Sequence, residues 1–486
     1  MRLGDLMRGW GGAEADAALE VTGITADSRA VRPGMVFAAL PGMRADGRGF
    51  IADAVARGAA AVLAPEGTVW PAEASPRPLI TSPDPRRALA LMAAAFYAAQ
   101  PACVVAITGT NGKTSSVDFL RQIWRDAGRK AASLGTLGLI AEGVPPGPSL
   151  TTPDPVALHE NLARLARDGV AALAMEASSH GIDQRRLDGV RLAAAGFTNL
   201  TRDHLDYHGT MAAYRAAKLR LFDTLLPAGA PAIAMADMEA ETITALREIA
   251  ARRRLDLRLV GAGGDALALE AARPLPEGQE LVFRIAGARH EILLPLPGRF
   301  QADNALLAVM LALATGVSEN AALAALGRLH GVRGRMERAA VLPNGAVIYV
   351  DYAHTPDALM RLLAALRPHV AGRLHVLFGA GGDRDPGKRP LMGHAAAEAA
   401  DRVWITDDNP RSENPAAIRA AVMAGCPDAV DAGAREEAMA KAMGALGPGD
   451  VLAVAGKGHE TGQEIAGIIH PFDDVAMVRK LVGALP

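Results

Sequence analysis

Cysteine is scarce in this 486-residue chain, which has only Cys103 and Cys426. Two thiols so far apart cannot form a disulfide framework, so both read as buried thiols in a reducing compartment. An excess of either charge is lacking as well. Lys and Arg number 51 against 53 Asp and Glu, a formal net charge of −2, and no basic block stands out. That balance argues against a dedicated nucleic-acid binder, while a small anionic substrate needs only a local basic site. The opening residues Met1-Arg2-Leu3-Gly4-Asp5 lack the continuous apolar run of an export signal, so the expected location is the cytoplasm. The longest apolar tract, Ala88 to Ile107, is mostly alanine and is broken by Gln100-Pro101. It reads as a helix, a turn and a buried strand, and no membrane insertion is expected. No internal repeat and no low-complexity tail is visible.

The length suggests three or so domains of roughly 100–200 residues. Up to about Ser82, short apolar runs such as Met35 to Leu40 and Ala60 to Leu63 alternate with helical stretches such as Ile51 to Arg57. The proline-rich segments Ser75 to Pro78 and Ser82 to Pro85 read as a linker zone, with a boundary near residue 88. Strand candidates Val104 to Thr108, Ala171 to Glu176, Ala193 to Thr198 and Ala232 to Met235 then alternate with amphipathic helices, the pattern of a largely parallel α/β sheet. After a helix from about Gln301 to Thr315, Gly331-Val332-Arg333-Gly334-Arg335 suggests a hinge. A third alternating unit follows, with strands Val347 to Val350, Leu374 to Phe378, Arg402 to Thr406 and Val451 to Ala455. The expected organisation is α/β in three domains, 1–87, 88–332 and 333–486.

The chemistry gathers where these strands end. Gly109-Thr110-Asn111-Gly112-Lys113-Thr114 follows an apolar strand. Its amides can surround phosphate oxygens, Lys113 can neutralise them, and the Thr114 hydroxyl can ligate Mg²⁺. A strict P-loop would carry glycine where Ile107 stands, so the generic pattern is only partly met. Glu176 closes another strand before Ala177-Ser178-Ser179-His180-Gly181, where it could bind Mg²⁺ or simply precede a helix-capping turn. Phe197 to Gly209 again ends a strand in a polar loop, with Arg202, Asp203, His204 and Asp206 in it, either a functional cluster, being more titratable groups than a turn needs, or a solvated loop of mutual ion pairs. Lys218, in a helical run, reads by itself as a surface lysine. Asp351 to Pro356, Gly379 to Asp385 and Asp408-Asn409-Pro410-Arg411 repeat the design of a strand followed by a polar loop. Arg384 and Arg411 offer planar forks for carboxylates, or surface ion pairs.

Taken in order, Asp27-Ser28-Arg29, Gly109 to Thr114, Met175 to Gly181, Asn199 to Gly209, Asp351 to Pro356, Gly381 to Asp385, Asp408 to Arg411 and Gly456-Lys457-Gly458-His459-Glu460 resemble the Mur ligases of bacterial cell-wall synthesis. The resemblance covers essentially the whole chain, and the family's phosphate loop has the form found here. It implies an N-terminal domain for a UDP-sugar, a central P-loop-type ATPase with a mostly parallel sheet, and a C-terminal Rossmann-like domain for an amino acid. The implied contacts to the UDP-sugar are Ser28, Met43, Arg44 and Ala45, and those to its muramoyl-peptide end are Thr151, Thr152, Ser178, Gln184 and Arg186. Gly109, Thr110, Asn111, Gly112, Lys113, Thr114 and Ser115 would hold the ATP phosphates, with Asn304 near the adenine. Gln301 departs from the second asparagine often found there. Lys218 falls on the family's carbamylated lysine, so Lys113, Glu176, His204 and Lys218 become the catalytic candidates, with Thr114, Glu176, His204 and Lys218 about Mg²⁺.

The resemblance further implies that ATP activates the D-glutamyl carboxylate of UDP-N-acetylmuramoyl-L-alanyl-D-glutamate as an acyl phosphate, which an incoming amine then attacks. Asp408 to Arg411 looks like the signature for meso-diaminopimelate, whose extra far carboxylate Arg411 can pair, whereas lysine would leave the guanidinium unpaired. Arg384, Gly456 and Glu460 match other positions around this substrate, Glu460 being placed to take an ammonium group. A monomer serving cell-wall biogenesis, cell shape and division, and hence the cell cycle, is the corresponding expectation. A folylpolyglutamate synthase shares the phosphate loop, but Asp27 to Arg29 and Asp408 to Arg411 speak against it. A P-loop small-molecule kinase would release a stable phosphorylated product, and a catalytically silent scaffold would not need Lys113, Glu176, His204 and Lys218.

Overall fold

The structure, a computed structural model, describes residues 1–8, 17–42, 45–144 and 150–483. Met43 and Arg44 lie outside the described residues. The chain packs as two compact units, Met1–Asp265 with Leu307–Ala322, and Ala266–Leu306 with Leu323–Pro486.

The first unit opens with a four-stranded parallel sheet of Gly23–Thr25, Met35–Ala38, Ala61–Pro65 and Leu79–Ser82, in that order. Its strands are short and apolar because both faces are covered. Val36, Ala38, Leu63 and Ile80 pack with Leu3, Leu6, Leu89 and Met92 on one side, and Phe37, Val62 and Ala64 with Ile51, Ala54 and Val55 on the other. The proline-rich segment expected to be a linker is built into this domain. Leu79–Ser82 is its edge strand, and Pro85 is the first residue of the helix Pro85–Tyr97, which Asp84 caps through the Arg87 amide. Proline is tolerated at an edge strand and at a helix start, so composition alone mistook structure for a linker.

The central sheet of this unit runs, in spatial order, Asp256–Gly261, Pro231–Met235, Ala194–Phe197, Cys103–Thr108, Ala172–Glu176, Ala131–Gly135 and Gly138–Ile140. All are parallel except the last, which folds back antiparallel on its neighbour. Cys103–Thr108 lies at the centre, between Ala172–Glu176 and Ala194–Phe197. Their carboxyl ends therefore bring residues 109–114, 177–181 and 198–204 to one edge.

In the second unit, Leu267–Leu275, Gly278–Ile285 and Ala288–Leu294 form an antiparallel meander. A six-stranded sheet follows, in the order Glu337–Val341, Val347–Asp351, Val451–Ala455, Leu374–Phe378, Arg402–Thr406 and Val430–Gly433. Only the first strand is antiparallel. Two apolar clusters cover its faces, one with Leu359, Leu363, Val376 and Ile405, the other with Ile348, Leu377, Met439 and Leu452. A small hairpin, Gly462–Ile465 with Ile468–Pro471, stands beyond the last long strand. The glycine-arginine stretch expected to be a hinge is a tight turn closed by a bridge between Val332 and Arg335. A Cβ on Gly334, at φ +65°, would lie 2.1 Å from the His459 amide nitrogen, so glycine is required for that contact.

Candidate functional site

The phosphate loop is fixed by the loop after the neighbouring strand. Gly109, at φ +148°, leaves so little room that a Cβ would sit 1.8 Å from Thr198 Oγ1. Asn199 accepts from the Thr110 amide through its carbonyl and from the Asn111 amide through its side chain, both at 2.9 Å. Thr198 Oγ1 donates to the Asn111 carbonyl at 2.6 Å, and the Thr201 amide donates to Thr110 Oγ1 at 3.0 Å. The helix Lys113–Asp126 begins at Gly112, so its first-turn amides and the positive end of its dipole stand at the loop. Lys113 Nζ donates 2.8 Å hydrogen bonds to the carbonyls of Gly109 and Thr110. Ser115 is buried in the first turn of that helix.

Glu176 is 1% exposed, and its carboxylate accepts from the Thr114 hydroxyl at 2.9 Å and the Thr136 amide at 2.8 Å. Thr136 continues the network to Thr151 at 3.0 Å. Thr152 Oγ1 donates to the Glu176 carbonyl and lies 3.0 Å from Ser178 Oγ. Arg186 donates to the Thr152 carbonyl and to the Gln184 side chain, each at 2.7 Å. The five residues expected around the muramoyl-peptide thus form one network beside Glu176. Ser178 also caps the helix Ser179–Asp183 through the Gly181 amide, so the capping and functional readings coexist.

Lys218 is not a surface lysine. It is 1% exposed, its Nζ donates to the Gly109 carbonyl at 2.7 Å, and it lies 4.5 Å above the Tyr214 ring. Burial, and then the charge of Lys113, push its pKa down from 10.5 to about 6. Tyr214 lies 3.2 Å from Thr110 Oγ1 and has its pKa pushed up to about 12 by burial. The His204 ring is 6.2 Å from that of Tyr214, with His204 at φ +51° and 3.6 Å from Asp203. His204 and Lys218 therefore flank one tyrosine beside the phosphate loop.

Ser28 begins a short 3₁₀ turn capped by Asp27, which also pairs with Arg29, and the Ala45 carbonyl accepts from the Gly42 amide at 3.1 Å. Asn304 and Gln301 are buried on the helix Arg299–Ala314 and belong to the second unit.

Within that second unit, residues 379–385, 408–411 and 456–464 converge. The Asn409 side chain accepts from Lys457 Nζ at 3.3 Å and the Glu464 amide at 2.9 Å, and donates to Glu460 at 3.1 Å. Lys457 is fully buried and pairs with Glu460 at 3.3 Å. The Gln463 side chain donates to the Asp408 carbonyl. A Cβ on Gly456 would meet Asp408 Oδ2 at 2.5 Å, and one on Gly382 the Pro410 carbonyl oxygen at 1.9 Å. Arg411 pairs with Glu464 at 3.0 Å, and Arg384 Cγ lies within 3.6 Å of where a Gly381 Cβ would stand. Beneath, Arg435 and Asp474 form a pair with both side chains at 0% exposure, and Arg435 donates to the Ala455 carbonyl at 2.9 Å.

Thr136, Tyr214, Lys457, Gln463 and Glu464 were not among the expected site residues. Thr136 carried the same signal as the others, a polar residue just past a buried strand, but the strand Ala131–Gly135 is too short and small-sided to stand out. Gln463 and Glu464 had no signal at all.

The chain matches the family models described as Mur ligase family, catalytic domain, over residues 20–97; Mur ligase middle domain, over 107–312; and Mur ligase, glutamate ligase domain, over 334–458. It is 55% identical, over 94% of each chain, to a UDP-N-acetylmuramoyl-L-alanyl-D-glutamate--2,6-diaminopimelate ligase of Caulobacter vibrioides. It is 52% identical, over 96% of each, to the protein of that name from Rhizobium meliloti. A solved structure of a ligase so named superposes with a TM-score of 0.76 at 31% identity, covering 100% of this chain and 99% of the other. The two loops about Lys113 and Glu176, the buried Lys218 and the full-length matches agree: the chain belongs to the Mur ligase family.

Proposed function

We propose that this protein is the ATP-dependent ligase that adds meso-diaminopimelate to UDP-N-acetylmuramoyl-L-alanyl-D-glutamate in the cytoplasm, acting as a monomer. The observation that carries the reading is the convergence of Lys113 and Lys218 on the Gly109 carbonyl, in the unit where Thr114 meets Glu176 and Glu176 meets the Thr151–Thr152–Arg186 network. Relatives more than half identical carry the name of this activity.

The ATP phosphates lie on the amides of residues 109–115, with Lys113 neutralising their oxygens and Asn304 toward the adenine. Ser28, Met43, Arg44 and Ala45 hold the UDP-sugar. The Thr151, Thr152, Ser178, Gln184 and Arg186 network turns the D-glutamyl carboxylate toward the γ-phosphorus. One carboxylate oxygen attacks, ADP leaves, and an acyl phosphate forms. The diaminopimelate amine attacks its carbonyl carbon, phosphate leaves, and the amide is complete. Such chemistry asks for alignment and neutralised phosphoryl charge, so no protein nucleophile is needed.

A hydroxyl and a buried carboxylate 2.9 Å apart, Thr114 and Glu176, are hard oxygen donors that fit Mg²⁺, an ion that keeps waters and phosphate oxygens in its shell. With His204 and a carbamylated Lys218 they would hold it, and the bound ion supplies charge neutralisation at the phosphoryl oxygens. An amine with pKa near 6 is neutral at pH 7, the form that adds CO₂. In the second unit Arg411 pairs the far carboxylate, Glu460 takes an ammonium group, and Arg384, Asp408, Asn409, Pro410 and Gly456 complete the site.

The test is phosphate release from ATP with the UDP-muramoyl dipeptide, comparing meso-diaminopimelate with L-lysine, and mass detection of the amide. Release that needs both the dipeptide and diaminopimelate is expected. Brisk turnover with lysine and none with diaminopimelate would overturn the assignment.

A further inference from the structure

The guanidinium of Arg411 is held on two sides. Its Nε donates to Glu464 Oε2 at 3.0 Å and its Nη1 to the Gly382 carbonyl at 2.7 Å. Among the described residues no acceptor reaches Nη2 and no donor reaches Glu464 Oε1. The main chain is stitched at the same point. The Arg411 amide donates to the Glu464 carbonyl at 3.0 Å, the Ala466 amide to the Arg411 carbonyl at 2.8 Å, and the Glu464 amide to Asn409 Oδ1 at 2.9 Å. Arg411 sits at φ +51°, a backbone conformation that a non-glycine side chain adopts only when its surroundings enforce it. The hairpin Gly462–Pro471 supplies that enforcement. Packing does not require a carboxylate at position 464, since its side chain is 39% exposed.

Resting on the assignment to diaminopimelate, the substrate's far end is an amino-acid head, with a carboxylate and an ammonium on one carbon. The Arg411 guanidinium matches only half of that head, and Glu460, the ammonium acceptor of the proposed site, is already paired with the buried Lys457 at 3.3 Å and accepts from Asn409, so it leaves room for a second carboxylate. An ammonium brought beside it would be repelled, because two like charges a few ångströms apart near a protein surface repel strongly. Arg384 adds a second cation nearby, and the Asp383 carboxylate is already engaged by the Ser412 hydroxyl and amide, across from its own loop. Glu464 is the carboxylate bonded directly to the Arg411 guanidinium, so the pair presents one positive and one negative group, the complement of a zwitterionic head. We propose that Glu464 is a specificity-determining residue: with Arg411 it reads the far ammonium together with the far carboxylate, so that the enzyme selects an amino-acid head over a bare carboxylate.

The test compares meso-diaminopimelate with L-2-aminopimelate, which keeps the far carboxylate and lacks the far ammonium, in the full ligation assay. The parent protein prefers diaminopimelate in kcat/KM. In Glu464→Gln, which retains an acceptor for Arg411 Nε, that preference falls by roughly fivefold or more, through KM for diaminopimelate and with aminopimelate little affected. Glu464→Asp, which keeps the charge, retains most of the preference, and thermal melts of both variants establish that they fold. A preference unchanged within about twofold in Glu464→Gln overturns the proposal, whether both substrates lose rate together or neither does. An equal loss would mean that Glu464 only orients Arg411. If the parent protein fails to ligate diaminopimelate while ligating another amino acid, it is the functional assignment that falls, independently of Glu464.

Discussion

Replacing Lys218 with methionine is expected to abolish ligation and, unusually for a buried functional residue, to stabilise the fold. The folded protein holds this amine near pKa 6, through burial first and the Lys113 charge second, against 10.5 for an ordinary lysine. Between those two values the unfolded chain binds a proton that the folded chain does not, so the contribution of Lys218 to stability rises with pH across the window. Its penalty is complete below about pH 6 and gone above about pH 10.5. At about 1.4 kcal/mol per pKa unit the penalty near neutrality is on the order of several kcal/mol. The hydrogen bond to Gly109 offsets only about 1 kcal/mol of it, and that carbonyl keeps Lys113 as a donor. Urea unfolding in CO₂-stripped buffer should show Lys218→Met more stable by about 2–4 kcal/mol at pH 7, with the gap closing toward pH 10. At pH 7 roughly nine in ten such amines are neutral, against about one in 3,000 for an ordinary lysine, which is the condition for adding CO₂. The parent protein should therefore carry the mass of one CO₂ in native mass spectrometry, lose activity when CO₂ is stripped, and lose it again as pH falls below 6. In Lys218→Ala, acetate or formate should restore part of the phosphate release. A methionine variant that is less stable at every pH, or that turns over normally, refutes the reasoning.

Glu176→Gln should lower dipeptide-dependent phosphate release by about 10²-fold or more, with the Mg²⁺ concentration for half-maximal rate raised, because a buried anion between Thr114 and Thr136 is lost. An unaltered Mg²⁺ dependence would remove Glu176 from the metal set. His159, buried against the Asp188 carbonyl at 3.1 Å, is held by burial at about 4 instead of 6.5, so the unfolded chain takes up its proton first and stability falls as pH drops from 6.5 toward 4. His159→Leu should remove about 2–3 kcal/mol of that acid sensitivity, read from urea midpoints at pH 7 and pH 4.5. Asp474→Ala should cost about 3–5 kcal/mol by stranding Arg435, whereas the double change Arg435→Leu with Asp474→Leu should fold closer to the parent; an additive loss in the double variant would count against a buried-charge origin.

Much of the sheet architecture was legible because strands buried on both faces must be continuous apolar runs. Leu374–Phe378, Arg402–Thr406 and Val451–Ala455 have the bounds expected, and Cys103–Thr108 differs by one residue. The meander 267–294 was not read. Its solvent face carries cross-strand pairs such as Arg273–Glu280 and Arg284–Glu270, which interrupt the apolar pattern a parallel strand shows. The hairpin 462–471 was missed because its turn uses Ala466 and Gly467, at φ +50° and +78°, where Asn-Gly would have announced it.

The candidate site divides in the same way, and the division is physical. Candidate residues that stand at the end of a strand, such as Glu176 and Asp408, announce themselves, since the strand before them is written in the sequence. Residues whose function comes from what is packed against them do not. Lys218 has its chemistry set by burial and then by the charge of Lys113, 105 residues away, and its own helix gives no sign that the amine is buried. Glu464 is set against Arg411 across 53 residues by a hairpin that could not be foreseen. Charge state and specificity are properties of such long-range pairs, so a motif can locate the chemistry of this ligase while leaving unstated the partners that tune it. Glu464 beside Arg411 is such a partner, and a substitution there should change substrate preference without changing the reaction.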